Sequence, residues 1–428
     1  MGAQNTLWFE CGAEALPQQD SCQDLAEKAR EACLTLLSGK SSSPRFDGWL
    51  ALPGDSKTQN ITQEVLALAR ELVAYEAVVV IGIGGSYLGA LALAEALEDQ
   101  KVKPHTEIIF LGFTLCADYM AMQLERLKEK RYAVVVISKS GTTTEPALAF
   151  RYVLTAMKKS ALGYQPERII AITDAARGTL HDLAEREGIR RMVIPDDIGG
   201  RYSVLTPVGL LPLAIAGVDI EALLEGARLA LEEQTNPHSA AVAYATWRNR
   251  WYRNGRTLEV LALYSPFMRS VGEWYKQLYG ESEGKEGRGV FPVSVCNTTD
   301  LHSLGQYLQE GERLFMETHV LFSGAQHEML VPELEGIADG LEYLEGRSLH
   351  EVNLAAAQAT LLAHEKSGIP SAVLHLDRRD AFSLGYLIYF WELSCALGVL
   401  MQGHNPFDQP GVEAYKKNMF HLLGKPSF

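Results

Sequence analysis

Short apolar runs, each ending at glycine or hydroxyl residues, recur along this chain and constrain its fold more than any other feature. Residues 77–81 and 133–137 have the same sequence, Ala-Val-Val-Val-Ile. Similar β-branched runs lie at 107–111, 168–172 and 191–194, with helical stretches at 87–97 and 146–158. A strand that is apolar at every position must be covered on both faces, as in a parallel sheet between helices. The sequence therefore predicts an α/β fold.

The second half of the chain repeats this scheme. Strands are predicted at 258–263, 290–295, 313–322 and 371–376, and helices at 267–279, 349–366 and 382–401. We expect two doubly wound domains, each a mainly parallel sheet flanked by helices, with helical extensions at both ends. The expected boundaries are 1–60 for the N-terminal extension, 61–225 and 240–402 for the two domains, and 403–428 for a C-terminal arm. A ligand site would lie in the crevice near the carboxyl ends of the strands.

Charge and cysteine content exclude several functional classes. The formal net charge of −14 disfavours a nucleic-acid partner, because an acidic surface repels phosphate backbones. The six cysteines form no C-x-x-C pair, so neither a disulfide framework nor a zinc site is predicted. No signal peptide is evident, and the apolar stretch 382–401 contains Glu392, which favours a buried core helix over a membrane span. These features predict a cytoplasmic protein without a membrane partner.

The first motif that carries chemistry is the glycine-rich segment GIGGSYLG at 82–89, between a predicted strand and helix. Glycines allow a close backbone approach to a ligand, and the following helix start supplies free N–H groups, which suits a phosphate. A dinucleotide fingerprint would need a third glycine at position 87, where the chain has Tyr87. The alternative is a tight turn that binds nothing.

A second segment, SKSGTTTEP at 138–146, also leaves an apolar strand and enters a helix. Its hydroxyl groups can donate hydrogen bonds to phosphate oxygens, and its spacing does not match a P-loop. Two such loops on neighbouring strands could meet at one phosphate. A loop with surplus hydroxyl groups at a helix start is the alternative.

Candidates for charge and proton handling lie further along the chain. Arg201, in the segment 197–203, is permanently charged and could stabilise an anion, although a salt-bridged surface turn is the alternative. The acidic segment GESEGK at 280–285 could supply a base, but position alone does not separate Glu281, Glu283 and Glu286. His302 could titrate near neutral pH, although a solvent-facing histidine is the more common case.

Taken in order, six blocks resemble the glucose-6-phosphate isomerase (phosphoglucose isomerase) family in its short bacterial form. They are GIGGSYLG, SKSGTTTEP, DDIGGRYSVLTPVG, GESEGK, the turn at 297–302 and FDQPGVEAYK, and they span residues 80 to 417. The resemblance implies two sugar-isomerase (SIS) domains and reversible conversion of glucose 6-phosphate to fructose 6-phosphate through a cis-enediol, in glycolysis and gluconeogenesis. It also implies a homodimer, with no metal and no cofactor.

The resemblance also implies roles for individual residues. Glu281 matches the catalytic base, Arg201 the cation that stabilises the intermediate, and His302 and Lys416 the pair that opens the sugar ring. His302 would come from the partner subunit, with Glu145 as the residue that orients it. Residues matching substrate or phosphate contacts are Gly85, Ser86, Ser138, Lys139, Ser140, Thr143, Gln277 and Gln409.

Three other interpretations remain open on sequence grounds. Another SIS enzyme, such as an aminosugar-phosphate synthase, would be expected to carry an amidotransferase domain. A sugar-phosphate sensor would be expected to carry a basic DNA-binding domain, and a dehydrogenase would need the complete glycine fingerprint. None of these features is evident in the 428 residues.

Overall fold

Within the described residues the chain forms two five-stranded sheets, each flanked by helices. The computed structural model describes residues 7–11, 21–40, 46–101, 106–160 and 162–425. The strands are β1 Leu7–Cys11, β2 Ala77–Ile81, β3 Glu107–Leu111, β4 Tyr132–Ile137, β5 Ile169–Thr173, β6 Arg190–Val193, β7 Leu258–Leu263, β8 Phe291–Cys296, β9 Phe315–Gly324 and β10 Ser371–Arg378. This confirms the predicted α/β architecture.

Helices cover the faces of both sheets. They are α1 Ser21–Leu37, α2 Ser56–Leu72, α3 Leu88–Ala96, α4 Ala117–Leu127, α5 Thr144–Lys159, α6 Thr179–Glu187, α7 Pro207–Ile215, α8 Ile220–Gln234, α9 Ala240–Arg253, α10 Arg269–Ser282, α11 Gly305–Glu310, α12 Leu349–Lys366, α13 Ala381–Met401 and α14 Glu413–Leu422. The all-apolar strands β2 and β4 are buried along their whole length, as expected for strands between two helical layers.

The two sheets share one strand order. In the first sheet the order is β3-β2-β4-β5-β6, and all neighbours are parallel. In the second the order is β8-β7-β9-β10-β1, parallel except for β1. In each sheet the first strand of the parallel set lies between the second and the third. The chain direction across the sheet therefore reverses beside β2 and beside β7, and crevices at such reversals bind ligands in open α/β sheets.

The N-terminal segment differs from the helical extension expected for residues 1–60. The segment Leu7–Cys11 is a strand that pairs antiparallel with β10, and Trp8 stacks on His375 with ring centroids 4.5 Å apart. Five residues of mixed polarity carry too little periodicity to identify an edge strand. Residues 1–6, 12–20 and 41–45 of the expected extension lie outside the described residues.

Helix α8 packs closely against α13, although residues 226–239 were expected to fall between the two domains. A Cβ at Gly226 would lie 1.8 Å from the carbonyl oxygen of Phe382, and one at Gly385 would lie 1.9 Å from that of Leu223. Glycine on each helix thus allows the two backbones to touch. Helix α13 is long and apolar enough to cross a membrane, but 94% of its apolar window is buried inside the protein, as predicted for a core helix.

Candidate active site

The glycine-rich loop after β2 makes a tight turn that brings Ser86 back over the end of the strand. A Cβ at Gly82 would lie 2.6 Å from the backbone oxygen of Ser86, so only glycine leaves room for this turn. Gly84 has φ +56°, in the left-handed region that glycine adopts without strain. The sequence pattern of this loop is therefore required by its geometry.

Gly85 brings this loop into backbone contact with the loop that carries Arg201. A Cβ at Gly85 would lie 2.0 Å from the carbonyl oxygen of Gly200. The glycine thus has a steric reason to be at this position, because any side chain would separate the two loops. Ser86 and Arg201 are thereby positioned on adjacent backbone segments.

The hydroxyl-rich loop follows β4, the neighbour of β2 in the sheet, with Ile81 opposite Val136. Its first serine, Ser138, is buried and accepts a hydrogen bond from the N–H of Gly141 at 3.0 Å. Ser140 accepts one from the N–H of Thr142 at 3.2 Å. The loop therefore lies at the same edge of the sheet as the glycine-rich loop.

Lys139 and Thr143 have structural positions within this second loop. The Lys139 ammonium donates to the carbonyl oxygens of Pro195 at 3.2 Å and Asp196 at 3.0 Å, in the segment that leads to Arg201. Thr143 is the N-cap residue of α5. The loop is thus tied to the Arg201 segment by a lysine that directs its donors to backbone carbonyls.

Arg201 is buried and held on every side of its guanidinium. Its Nε donates to the Ser282 hydroxyl at 2.8 Å, and one terminal nitrogen donates to the carbonyl oxygens of Pro406 at 2.6 Å and Asp408 at 3.1 Å. The other terminal nitrogen lies 3.4 Å from Glu281 Oε2. A cation fixed in this way needs no reorganisation when a negative charge develops beside it.

Glu281, in the last turn of α10, lies beside both Arg201 and the glycine-rich loop. Its Oε1 accepts a hydrogen bond from Gln277 Nε2 at 2.9 Å. The same oxygen lies 4.0 Å from the position that a Cβ on Gly84 would occupy, and Gln277 Nε2 lies 3.0 Å from it. The structure therefore brings together the first loop, Arg201, Gln277 and Glu281.

The structure also separates the three glutamates that sequence position could not. Glu283 is buried, with one carboxylate oxygen 2.6 Å from Arg248 NH1 and the other accepting from the N–H of Val290 at 2.7 Å. Arg248 in turn pairs with Glu259 at 2.5 Å. Glu286 is exposed. Of the three, only Glu281 combines partial burial with a place beside Arg201.

A cleft of about 700 Å³ opens on the outer side of Glu281 and reaches Gln409. Lys285 closes one wall, because its ammonium donates to the backbone of Asn405 and pairs with Asp408 at 2.8 Å. Burial lowers the pKa of Lys285, and Asp408 partly opposes this effect. The lysine thereby ties the acidic loop after α10 to the segment that holds Arg201.

Three predicted residues form no hydrogen bond or ion pair with these groups among the described residues. His302 ends a short helical turn after β8 and is exposed; within the described part of the chain its ring forms no hydrogen bond or ion pair. The Lys416 ammonium lies 2.8 Å from Glu413 in α14, and Glu145 is half-buried in the first turn of α5. Within the described part of one chain, a contact therefore joins Glu281 to Arg201, whereas the ring-opening roles of His302 and Lys416 stay a prediction.

Sequence reasoning missed Ser282, Lys285 and the carbonyl groups that orient Arg201. Ser282 and Lys285 lie in or beside the quoted acidic block, so they could have been considered. The carbonyl oxygens of Pro406 and Asp408 could not, because a backbone acceptor carries no side-chain signature and lies 205 and 207 positions from Arg201.

The chain is similar to several known proteins over nearly its whole length. A family model described as phosphoglucose isomerase matches residues 19–425. A glucose-6-phosphate isomerase of Parabacteroides distasonis is 45% identical over 416 residues, which cover 94% of this chain and 92% of that protein. A solved structure of a hypothetical protein from Thermus thermophilus is 30% identical, with a TM-score of 0.86, and covers 97% of this chain and 100% of that one. The fold of a glucose-6-phosphate isomerase from Chlamydia trachomatis matches with a TM-score of 0.84 at 21% identity, covering 99% and 89% of the two chains.

Proposed function

The chain belongs to the phosphoglucose isomerase family, and from this premise we propose how its residues carry out the reaction. The protein is an aldose–ketose isomerase that interconverts glucose 6-phosphate and fructose 6-phosphate, in glycolysis and gluconeogenesis. Glu281 removes the proton from C2 of the open-chain sugar and returns it to C1, while Arg201 stabilises the enediolate between these steps. The observation that supports this assignment most strongly is the 3.4 Å separation between Glu281 and a buried, fully oriented Arg201.

One carboxylate can serve both carbons because C1 and C2 are adjacent on a planar enediol. Hydrogen bonds from Arg201 and Gln277 reach different oxygens of Glu281, which fixes the plane of the carboxylate. The Oε1 atom of Gln277 is buried and has no partner among the described residues, so it can accept a hydrogen bond from a substrate hydroxyl. The reaction is redox-neutral, and its proton transfers use these side chains without a nicotinamide.

The phosphate of the substrate binds where the two loops meet. Ser86 and Gly85 contribute from the first loop, and Ser138, Ser140 and Thr143 from the second, with Lys139 supporting the second loop from behind. Hydroxyl and backbone N–H donors suit a phosphate without placing further net charge in the site. Anchoring the phosphate at this edge orients the sugar toward Glu281, so binding energy assists the chemical step. Gln409 contacts the sugar from the cleft wall.

Ring opening is assigned to His302 of one subunit and Lys416 of the other, with Glu145 orienting the histidine. An exposed His302 that forms no hydrogen bond or ion pair with the described residues of its own chain supports a role across an interface. Exposed apolar side chains near it along the chain, Leu304 and Tyr307, are of the kind that subunit contacts cover. We therefore assign a homodimer, and we separately propose that it acts in the cytoplasm.

Mixed dimers test both the shared site and the roles. Two tagged chains, Glu281→Gln and His302→Ala, are co-expressed, and fructose 6-phosphate conversion is followed in a coupled assay with chelator present. Each variant alone should be nearly inactive. A mixed dimer would contain one site with both native residues, so random pairing should restore about a quarter of wild-type activity.

The matched control combines Glu281→Gln with Arg201→Ala, two residues that lie 3.4 Å apart in one chain. Every site of that mixed dimer carries one defect, so no activity should return. Activity restored in the control mixture would contradict the shared site. So would isolated mixed dimers of Glu281→Gln and His302→Ala that show no restored activity. Wild-type protein without isomerase activity would contradict the function itself.

A further inference from the structure

The two domains repeat one architecture, and this repetition singles out a second crevice. In the first domain, both predicted phosphate loops follow the strands that flank the reversal of chain direction, β2 and β4. The corresponding strands of the second domain are β7 and β9, which are also parallel neighbours. Since ligands bind outside the carboxyl ends of strands at such a reversal, the end of β7 and β9 is the equivalent position.

A cavity of about 250 Å³ occupies this second position. Tyr264 and Ser265, directly after β7, form one wall, and His327, three residues after β9, forms another. His350 and Asn353, from the first turns of α12, complete it. None of these residues belongs to the site around Glu281.

The cavity presents polar donors and little uncompensated negative charge. His350 Nε2 is buried and has no hydrogen-bond partner in the described ranges. Ser265 precedes a helical turn that its side chain does not cap. Among the described residues of the cavity wall the carboxylate is Asp99, which is neutralised by Arg379 through two contacts of 2.9 and 2.7 Å. Those hydrogen bonds also hold the pKa of Asp99 below its usual value.

The wall at Tyr264 is fixed by a buried hydrogen-bonded chain. Its hydroxyl lies 3.1 Å from His319 Nδ1, and His319 Nε2 lies 3.3 Å from Glu317 Oε2. His364 Nδ1 lies 2.7 Å from the same carboxylate oxygen. Asn353 donates to the backbone oxygen of Tyr264 at 2.9 Å, which ties α12 to the end of β7. The cavity is therefore preformed, and a ligand would not have to order its walls.

We propose that this cavity is a second anion site, which binds a compact phosphate group through His350, His327 and Ser265. The volume suits free phosphate or the phosphate group of a small ester and is below the range typical of drug-sized ligands. The inference goes beyond the isomerase reaction, since the cavity shares no residue with the catalytic site.

Calorimetric titration of inorganic phosphate into the full-length protein tests the proposal. Wild type should bind two phosphates per chain. Ser138→Ala should weaken only the phosphate bound in the active site, and His350→Ala should weaken only the second by at least about tenfold. His421→Ala, in the exposed last turn of α14, is the matched control and should bind like wild type. A parallel titration with glycerol 3-phosphate distinguishes an ester ligand from free phosphate, and binding of either supports the site.

Ser265→Asp provides a second test that does not depend on the histidine. A carboxylate introduced into the cavity should repel the second phosphate, while isomerase turnover and the circular dichroism spectrum stay at wild-type values. One phosphate per chain in wild type, or two phosphates unaffected by both cavity variants, would overturn the proposal. Isomerase activity of the wild type is measured separately, so a failure of this site is distinguishable from a failure of the proposed function.

Discussion

Two glutamates at the end of α10 should respond to the same substitution in opposite ways. Glu281 and Glu283 are two positions apart, but Glu281 lies beside Arg201, whereas Glu283 is buried in an ion pair with Arg248. Replacing either with glutamine keeps the side-chain shape and removes the charge. The comparison therefore isolates what each carboxylate contributes.

Glu281→Gln should lose catalysis with little effect on the fold. An amide cannot accept a proton from carbon, and removing a positioned general base typically costs more than about 100-fold in turnover. The side chain is 30% exposed and its contact with Arg201 is long at 3.4 Å. We therefore expect the free energy of unfolding to change by less than about 1 kcal/mol.

Glu283→Gln should lose stability with little effect on turnover. Its side chain is 1% exposed, and its two oxygens accept from Arg248 at 2.6 Å and from the N–H of Val290 at 2.7 Å. Glutamine keeps one acceptor, but it turns an amide N–H₂ toward the other donor and loses a charge-assisted hydrogen bond. These two effects together should lower the free energy of unfolding by about 3 kcal/mol.

Steady-state kinetics at a temperature where both variants are folded, together with urea denaturation followed by tryptophan fluorescence, measures both effects. The reasoning is refuted if Glu283→Gln loses turnover at unchanged stability. It is equally refuted if Glu281→Gln stays within a few-fold of wild-type turnover. A double variant should show the two losses added, because the carboxylates have different partners.

Three further predictions follow from individual contacts. Arg201→Lys should lower turnover by about 100-fold while the Michaelis constant changes only a few-fold. The reason is that one ammonium group cannot donate to Ser282, two carbonyl oxygens and the enediolate at once. A rise in the Michaelis constant at unchanged turnover would contradict this prediction. Gly85→Ala should lower kcat/KM by at least about tenfold, since its Cβ would lie 2.0 Å from the Gly200 oxygen; wild-type kinetics would contradict the close contact. Burial raises the pKa of the Glu392 carboxyl well above its usual value. The contribution of Glu392 to folding stability is therefore fully present below its pKa in the unfolded state and is lost as the pH rises through its pKa in the folded state. The melting temperature of Glu392→Gln minus that of wild type should therefore increase as the pH rises from about 5 to about 9. A difference that stays constant with pH would contradict the raised pKa of Glu392.

The core of both sheets was predictable because wholly apolar strands have sharp ends. The strands Ala77–Ile81, Glu107–Leu111 and Leu258–Leu263 have the bounds expected from sequence. Strand β1 was not predictable, since its stability comes from pairing with β10, more than 350 residues away. The packing of α8 on α13 was missed for a similar reason: Gly226 and Gly385 indicate a close helix crossing only when they are known to face each other.

The position of both predicted phosphate loops at one edge of the first sheet was also predictable. Glycine and hydroxyl segments after neighbouring parallel strands must meet at one edge, which is why the loops at Ser86 and Ser138 could be paired in advance. The choice among the glutamates required the resemblance, because Glu283 is committed to Arg248 through a contact that spans 35 positions and follows no periodic pattern. Long-range pairing, rather than local propensity, is what the residues alone did not reveal.

The proposed site combines fixed dipoles with one buried cation in a chain whose net charge is strongly negative. With a net charge of −14, the surface does not attract a phosphorylated sugar over long distances. Attraction must therefore be local: we propose that the hydroxyl and N–H donors of the two loops supply it at the phosphate. Arg201 would supply it at the enediolate, from a buried position where water screens its charge little. Its hydrogen bonds to two backbone carbonyls and a hydroxyl satisfy its donors without cancelling its charge, and the carboxylate that contacts it is the proposed base. In the proposed mechanism, Glu281 becomes neutral when it takes up the substrate proton, just as the enediolate forms, so the full charge of Arg201 becomes available to the intermediate.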